Sequence, residues 1–255
     1  MLSIQLMDTK LSLGSIGIII GLLFAHMPVN AQQVSDDTVN RIIIDNFEAY
    51  ETGSIADSWK YITNSGDELP VKEALEEGER FHVMEEEGNK YLRVETQNES
   101  IRLSQVNGTA YDWNIQQYPY LNWKWRALHL PEGASEKDKN DSGGAIYVTF
   151  GTDWLGRPKS IKYTYSSSLP VGTKVGFGSL TVIVVSSALE GSVGNWKTVE
   201  RDLLEDYEVV FGGFLKKGTP PDRPLSITIW GDSDSTNDSS KVDFDDIMLF
   251  PESTK

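Results

Sequence analysis

The 255-residue sequence contains no cysteine and only three histidines. The missing cysteine excludes disulfide bonds, thiolate metal sites, a cysteine nucleophile and a lipid-modified N-terminal cysteine. Neither His82 nor His129 stands in a metal-ligand motif. No Gly-x-Ser-x-Gly elbow and no glycine-rich phosphate loop occurs either, so the sequence offers no starting point for a serine hydrolase or for nucleotide chemistry.

Basic residues are also scarce, with 23 Lys and Arg against 38 Asp and Glu, which gives a formal net charge of −15. Such a surface repels phosphate backbones, and no basic stripe is present that could release counterions, so nucleic acid is not expected as a partner. Anionic membrane surfaces are disfavoured for the same reason. An acidic surface suits bound calcium as well as simple solvation, and both interpretations stay open.

The N-terminal stretch is the clearest signal in the sequence. Lys10 precedes the apolar run 11–24, Pro28 then breaks any helix, and Val29-Asn-Ala31 provides small or aliphatic residues at the positions that a signal peptidase recognises. This order predicts a secretory signal peptide over residues 1–31, cleaved before Gln32. The apolar run is shorter than the roughly 20 residues that cross a bilayer, which favours cleavage over a retained anchor. We therefore expect export to the periplasm or beyond, with no membrane insertion after cleavage.

A polar linker over residues 32–40 leads into a single predicted domain over residues 41–255. Short runs rich in β-branched and aromatic residues alternate there with gaps rich in Gly, Asn, Asp and Pro, which indicates an all-β fold. We predict a two-sheet antiparallel β-sandwich of the jelly-roll type, present as a monomer. The predicted strands are 41–47, 80–84, 90–95, 100–105, 120–127, 145–151, 160–165, 180–185, 196–201, 225–230 and 242–249, with one helical segment over 203–211.

One predicted strand alternates cleanly between apolar and charged residues. Trp123 and Trp125 lie on one face, and Lys124 and Arg126 lie on the other. A core position is favoured for the two tryptophans over a role in ligand stacking. If this strand adjoined the one that carries Lys162, the three cations could meet a carboxylate-bearing glycan, although a solvated outer face is the more common arrangement.

The two ends of the domain carry a paired pattern. Asp45-Asn-Phe-Glu48 precedes Trp59 near the start, and the final strand reads Val242-Asp-Phe-Asp-Asp-Ile-Met-Leu249. These segments resemble the galactose-binding-like jelly rolls that include many carbohydrate-binding modules. The resemblance implies neighbouring first and last strands bridged by a structural calcium, an ion that prefers hard oxygen ligands. Carried onto this sequence, the metal ligands would be Glu48, Asp245 and Asp45, with Asp246 nearby. The alternative is that these are surface carboxylates on edge strands.

Further segments between about Ile42 and Phe250 form a second pattern. They are Tyr118-Pro-Tyr-Leu-Asn-Trp-Lys-Trp-Arg126, Ile146-Tyr-Val-Thr-Phe150, the stretches 196–202 and 206–212, and Leu225-Ser-Ile-Thr-Ile-Trp230 with its continuation to Thr236. Together they resemble DUF3047, a bacterial family of unknown function. Where that family tends to have a Tyr-x-Trp strand, this chain has Tyr163-Thr-Tyr165. The resemblance implies a fold and brings no established activity.

Aromatic residues are the candidates for a sugar site, because sugar rings stack on exposed aromatic faces while polar side chains fix the hydroxyls. Trp154 lies in a loop between two strands, where an aromatic side chain is more often exposed and can contact a ligand. The predicted ligand-binding residues are Trp154, Tyr163, Tyr165, Arg126, Trp230 and Asp232. The segment 232–238 is dense in oxygen ligands but lacks the glycine and terminal glutamate of an EF-hand loop, so it is either a looser calcium site or an Asx-rich turn.

These observations favour an exported, non-catalytic domain that binds polysaccharide or oligosaccharide, with calcium as a structural cofactor. Two alternatives stay open. The first is a polysaccharide-active enzyme, because a glycoside hydrolase can draw its carboxylates from distant strands and a lyase could use tyrosine as base beside a cation. The second is an envelope domain that binds another protein. No catalytic residue is assigned.

Overall fold

The computed structural model describes residues 40–63, 65–137, 141–191, 193–213 and 218–255. The predicted signal peptide at 1–31 and the linker up to residue 39 lie outside the described residues. Within the described ranges no helix combines the length and the apolar character that a membrane span requires.

Eleven of the strands in the described residues were predicted, and the three that were not are only three or four residues long. The strands are β1 Ile42–Asp45, β2 Lys60–Ile62, β3 Glu68–Pro70, β4 Arg80–Glu86, β5 Asn89–Gln97, β6 Ser100–Val106, β7 Tyr120–His129, β8 Gly144–Thr152, β9 Pro158–Ser166, β10 Lys174–Phe177, β11 Leu180–Ser187, β12 Lys197–Asp202, β13 Ser226–Asp232 and β14 Ser239–Phe250. The helices are α1 Val71–Ala74 and α2 Leu203–Phe211. Asp202 caps α2 by accepting hydrogen bonds from the amides of Leu204 and Glu205.

The strands pair into two sheets. The first sheet has the order β12-β7-β14-β5-β4, with β1 also beside β14, and the second has the order β10-β11-β9-β8-β13-β6-β2-β3. The predicted all-β, two-sheet sandwich is thereby confirmed, as is the neighbouring position of the first and last strands. One pair, β9 with β11, is parallel. It is parallel because the β10–β11 hairpin folds back and places β11 between β10 and β9.

The two sheets meet through an aromatic layer formed by Trp123 and Trp125 of β7 and Tyr163 and Tyr165 of β9. The ring centroids of Trp123 and Tyr163 are 5.7 Å apart, and those of Trp125 and Tyr165 are 5.4 Å apart. All four side chains are fully buried. The indole N–H of Trp125 donates to Ser186 Oγ at 3.0 Å, so this buried donor is satisfied. The aromatic layer confirms the predicted core position of both tryptophans.

We expect Trp125→Ala to lower the free energy of unfolding by about 3 to 5 kcal/mol, because it opens a cavity between the sheets that neighbouring side chains cannot fill. Trp154→Ala is the matched control: that side chain is 88% exposed, so its loss should change stability by no more than about 0.5 kcal/mol. Urea unfolding followed by fluorescence measures both. Equal losses in the two variants would contradict the packing described here.

Candidate functional site

The outer face of the second sheet carries an open groove of about 780 Å³. Strands β6, β8, β9 and β13 form its floor, and residues near β2, β3 and β11 form its sides. Its floor is built from the outward positions of these strands, which alternate with buried core positions. We name it the hydroxyl groove because seven of its lining residues are Ser or Thr: Thr63, Ser104, Thr149, Ser160, Ser179, Ser226 and Thr228.

Pairs of these hydroxyls meet across neighbouring strands. Ser104 Oγ lies 2.6 Å from Thr228 Oγ1, and Thr149 Oγ1 lies 2.9 Å from Ser160 Oγ. A hydroxyl is one donor and two acceptors, so each pair retains capacity for a further hydrogen bond. The floor of the hydroxyl groove is therefore polar and largely uncharged.

An aromatic pair, Tyr147 and Trp230, forms one wall of the hydroxyl groove. Their rings are stacked, with centroids 5.0 Å apart and planes inclined by 19°. Trp230 pairs in register with Ala145, whose small side chain leaves room for the indole to lean over β8. Tyr147 is buried and Trp230 is only half-buried, so the indole is the member that a ligand can reach.

Arg102 stands beside the aromatic pair on the neighbouring strand. It is the register partner of Trp230, and its guanidinium carbon lies 5.6 Å from the centroid of that ring. The ring of Tyr61 lies 5.7 Å from the same guanidinium carbon. Both distances are within the range of cation–π attraction, so two rings hold this side chain in place.

Buried charges lie behind the aromatic pair. Lys162 is fully buried, with its ammonium 5.1 Å from the Trp230 ring and 3.9 Å from Asp232 Oδ2. The carboxylates of Asp141, Asp232 and Asp234 offer oxygens within 4.8 Å of one another. Burial raises the pKa of Asp232 to about 7; the ammonium of Lys162 opposes this shift, and the charges of Asp141 and Asp234 add to it. Burial also lowers the pKa of Lys162.

Of the six predicted ligand-binding residues, Trp230 and Asp232 lie at this site. Trp230 lines the hydroxyl groove directly, and Asp232 lies behind it in the buried cluster. Trp154 is at the tip of the β8–β9 hairpin, outside the lining, although Gly156 and Pro158 of the same hairpin contribute to the groove.

The prediction that Tyr163 and Tyr165 contact a ligand is wrong. They point inward from β9 into the aromatic layer and have no exposed surface. Because side chains alternate along a strand, Lys162 and Thr164, which flank Tyr163, point toward the outer face instead. Tyr163 is occupied structurally, since its hydroxyl donates to Asp206 Oδ2 at 2.9 Å.

Arg126 lies outside the hydroxyl groove, on the outer face of the first sheet. Its guanidinium is 2.8 Å from both Asp243 and Glu86 and 4.9 Å from the ring of Trp196. The predicted face of Lys124, Arg126 and Lys162 does not form, since β7 and β9 belong to different sheets.

The predicted metal residues Glu48, Asp245 and Asp45 are engaged by different partners. Asp45 accepts a hydrogen bond from Trp59 Nε1 at 2.9 Å. Glu48 and Asp245 both contact the start of β5: the amide of Lys90 donates to Glu48 at 3.0 Å, and Asn89 Nδ2 donates to Asp245 at 3.0 Å. The calcium ion stays a prediction, and the hydroxyl groove does not depend on it.

Sequence reasoning missed Arg102, Tyr147 and Thr228 as site residues. A signal was present on β13, where Ser226, Thr228 and Trp230 share the outward face, whereas a solvated face usually carries charges. The sequence does not show which strand pairs with β13. Arg102 and Trp230 lie close together because β6 and β13, which are far apart in the chain, are paired in the sheet.

Comparison with known proteins gives one family and several distant structures. The model of DUF3047, a protein family of unknown function, matches residues 57–248. That match confirms the resemblance carried by the β7, β8 and β13 segments. No curated protein matches the sequence.

Three solved structures illustrate the distant similarity. The family 11 carbohydrate-binding module of cellulase Lic26A-Cel5E from Clostridium thermocellum has a TM-score of 0.39 at 12% identity, covering 83% of this chain and 95% of the module. The module CBM27-1 of Caldicellulosiruptor saccharolyticus, solved with mannohexaose, has a TM-score of 0.34 at 12% identity, covering 85% and 100%. The exolytic PL7 alginate lyase AlyA5 of Zobellia galactanivorans has a TM-score of 0.37 at 12% identity, covering 78% and 96%. With every TM-score below 0.5, the function has to be argued from this chain's own residues.

Asp232→Asn is expected to flatten the dependence of stability on pH. The pKa of Asp232 is raised in the folded state from 3.8 to about 7, so its protonated form contributes stability that is fully present below pH 3.8 and lost as the pH rises through about 7. Between these values the wild type should lose stability relative to the variant. Urea unfolding across this pH range measures the difference, with the exposed Asp57→Asn as control. Parallel curves for wild type and Asp232→Asn would contradict the prediction.

Proposed function

Since the chain belongs to the DUF3047 family of proteins of unknown function, we propose a function from its own residues: an exported, monomeric domain that binds carbohydrate in the hydroxyl groove without reacting with it. The observation that carries the proposal is the aromatic pair, Tyr147 and Trp230, set beside a hydroxyl-lined floor. Export rests on the order of residues 1–31.

The half-buried indole of Trp230 supplies the stacking surface. The axial C–H groups of a sugar ring are favourable partners for an aromatic face, since the face carries partial negative charge. Stacking on Tyr147 fixes the plane of this indole before any ligand arrives. A preformed surface loses little conformational entropy on binding, which favours affinity.

The hydroxyl pairs of the groove can form hydrogen bonds with the hydroxyl groups of a sugar. Sugar hydroxyls donate and accept, as do the side chains of the Ser104–Thr228 and Thr149–Ser160 pairs. A mostly apolar ligand would leave these buried hydroxyls without new partners. A floor lined mainly by hydroxyls beside an aromatic face suits a carbohydrate.

The lining of the hydroxyl groove favours binding over catalysis. Glu68 is the one acidic side chain among the described lining residues, whereas glycoside hydrolysis uses a pair of carboxylates across the bond. A lyase needs a base, and Tyr147 is a poor one. Burial raises the pKa of Tyr147 well above its usual value, so its phenol stays protonated.

We expect Trp230→Ala to weaken binding by about 30-fold or more, the size of a buried aromatic hot spot of about 2 kcal/mol. The measurement is affinity electrophoresis against a panel of soluble polysaccharides, followed by calorimetry on the best ligand. Trp154→Ala is the matched control, because its exposed indole lies outside the hydroxyl groove.

Unchanged glycan affinity in Trp230→Ala would contradict the proposed site. Loss of affinity in Trp154→Ala alone would show that the glycan binds at the β8–β9 hairpin instead. New reducing ends or unsaturated products during incubation would show that the protein is an enzyme and would contradict the proposal of binding without reaction.

A structural calcium ion beside the terminal strands is a separate part of the proposal. Burial raises the pKa of Asp245 to about 6, and the charge of Asp246 adds to this, so a cation there would stabilise the ionised carboxylate. Lys90 competes for the same place, since its ammonium donates to the carbonyl oxygens of Glu48 and Tyr50 at 3.2 and 2.7 Å.

We expect calcium to raise the unfolding midpoint of Lys90→Met more than that of the wild type, because the substitution frees two carbonyl oxygens and removes a competing charge. Thermal unfolding with calcium and with chelator measures the shift. If calcium leaves the unfolding midpoints of both proteins unchanged, the calcium site is contradicted. The proposed carbohydrate site does not depend on that result.

A further inference from the structure

We propose that the hydroxyl groove selects glycans that carry carboxylates, with Arg102 as the residue that binds the uronate group. This inference rests on the proposed function of the hydroxyl groove and names the class of its ligand. It follows from the unpaired charge of one arginine and from the position of that arginine beside the stacking surface.

Arg102 differs from the other arginines of the folded domain. Six of them lie within 4.0 Å of an Asp or Glu oxygen: Arg80, Arg93, Arg126, Arg157, Arg201 and Arg223. Arg102 forms no such ion pair and donates no hydrogen bond to any residue that the structure describes. Arg41, just before β1, also lacks an ion pair there, but it lies outside the groove. In a chain with 38 acidic residues, an unpaired arginine in the middle of a sheet calls for an external partner.

The surroundings of Arg102 prepare it to bind an anion. The rings of Tyr61 and Trp230 lie at 5.7 and 5.6 Å from its guanidinium carbon and restrict the motion of the group. Because the guanidinium donates no hydrogen bond to a described residue, its N–H groups remain available to a ligand. Those groups match a carboxylate in the paired, two-hydrogen-bond arrangement that is among the strongest polar contacts in proteins.

A uronate is the carboxylate that fits this position. In a hexuronic acid the carboxylate is attached directly to the sugar ring. Because the guanidinium of Arg102 lies 5.6 Å from the Trp230 ring, a sugar ring that packs against the exposed part of the indole lies next to the guanidinium. One sugar residue can therefore use both side chains. A neutral hexose, with a hydroxymethyl group at that carbon, would leave the arginine unpaired.

The other charges near the groove lie behind the aromatic pair or at the groove's edge, and behind the pair three carboxylates, Asp141, Asp232 and Asp234, face one ammonium, Lys162. Lys162 lies behind the aromatic pair, 5.1 Å from the Trp230 ring, and Asp232 at 3.9 Å offsets part of its charge. Glu68 lines the groove from the edge strand β3 and forms no ion pair with Arg102. Among the described lining residues, Arg102 is thus the cation that a ligand in the groove can contact.

The test compares each of several polyuronates, among them polymannuronate, polyguluronate and polygalacturonate, with its own carboxyl-reduced form. The backbone and linkages are then identical, and only the carboxylate differs. We expect the full-length mature chain to bind one polyuronate at least about tenfold more tightly than its reduced form, with an affinity that falls as salt is added. Arg102→Gln should abolish this preference, so that the variant binds a polyuronate and its reduced form equally.

Two further variants keep the outcome interpretable. Arg102→Lys retains the charge without the paired geometry and should keep part of the preference. Arg80→Gln removes an exposed arginine of the first sheet and should keep all of it. Unfolding midpoints equal to the wild type show that each variant is folded.

Equal affinity for a glycan and its reduced form, unaltered in Arg102→Gln, would overturn the selection of uronates and leave carbohydrate binding intact. Failure of the wild type to bind any glycan of either form would overturn the proposed function itself. A preference that persists in Arg102→Gln would place the anion contact elsewhere and would also overturn the inference.

Discussion

The packing of the aromatic layer between the two sheets is the interaction on which the rest of the structure depends. A chain without cysteine cannot cross-link its sheets, so burial must hold them together. Trp123 and Trp125 meet Tyr163 and Tyr165 there, and all four are fully buried. Because successive side chains on a strand alternate, commitment of the two tyrosines to the core sends Lys162 to the opposite face. The core thus determines which side chains the outer face of the second sheet can present.

The outer faces of the two sheets differ in whether their cations are paired with acidic side chains. On the first sheet Arg93 and Arg126 share the buried carboxylate of Asp243, at 2.7 and 2.8 Å, so the cations of that face are already neutralised by the protein. A ligand there would have to displace internal partners, which makes binding unfavourable. On the second sheet the floor carries hydroxyls, an aromatic pair and one unpaired arginine. Binding to that face desolvates few charges, and its hydroxyl pairs can each form a further hydrogen bond.

Local pattern was enough to predict most strands, α2 and the buried face of β7, because each depends on the period of side chains along a short segment. The same reasoning was wrong for Tyr163 and Tyr165, since alternation shows which residues share a face and does not show which face is the core. It also joined Arg126 to Lys162, although their strands lie in different sheets. Strand neighbours such as β6 and β13 are separated by more than a hundred residues, so the contact between Arg102 and Trp230 exists only after folding. Strands β2, β3 and β10 were too short to give a periodic signal.

The buried Lys162 explains why the aromatic pair can serve as a rigid surface. An ammonium removed from water without a hydrogen-bond partner among the described residues is unfavourable unless neighbouring groups stabilise it. Here the rings of Tyr147 and Trp230 lie 5.4 and 5.1 Å from it, and Asp232 lies 3.9 Å away. Rotation of either ring away from the ammonium would forfeit its cation–π attraction in a site that excludes water, where that attraction is strongest. The same charge that is costly to bury therefore keeps the indole of Trp230 in one plane, and a ligand meets a surface that needs no rearrangement before it binds.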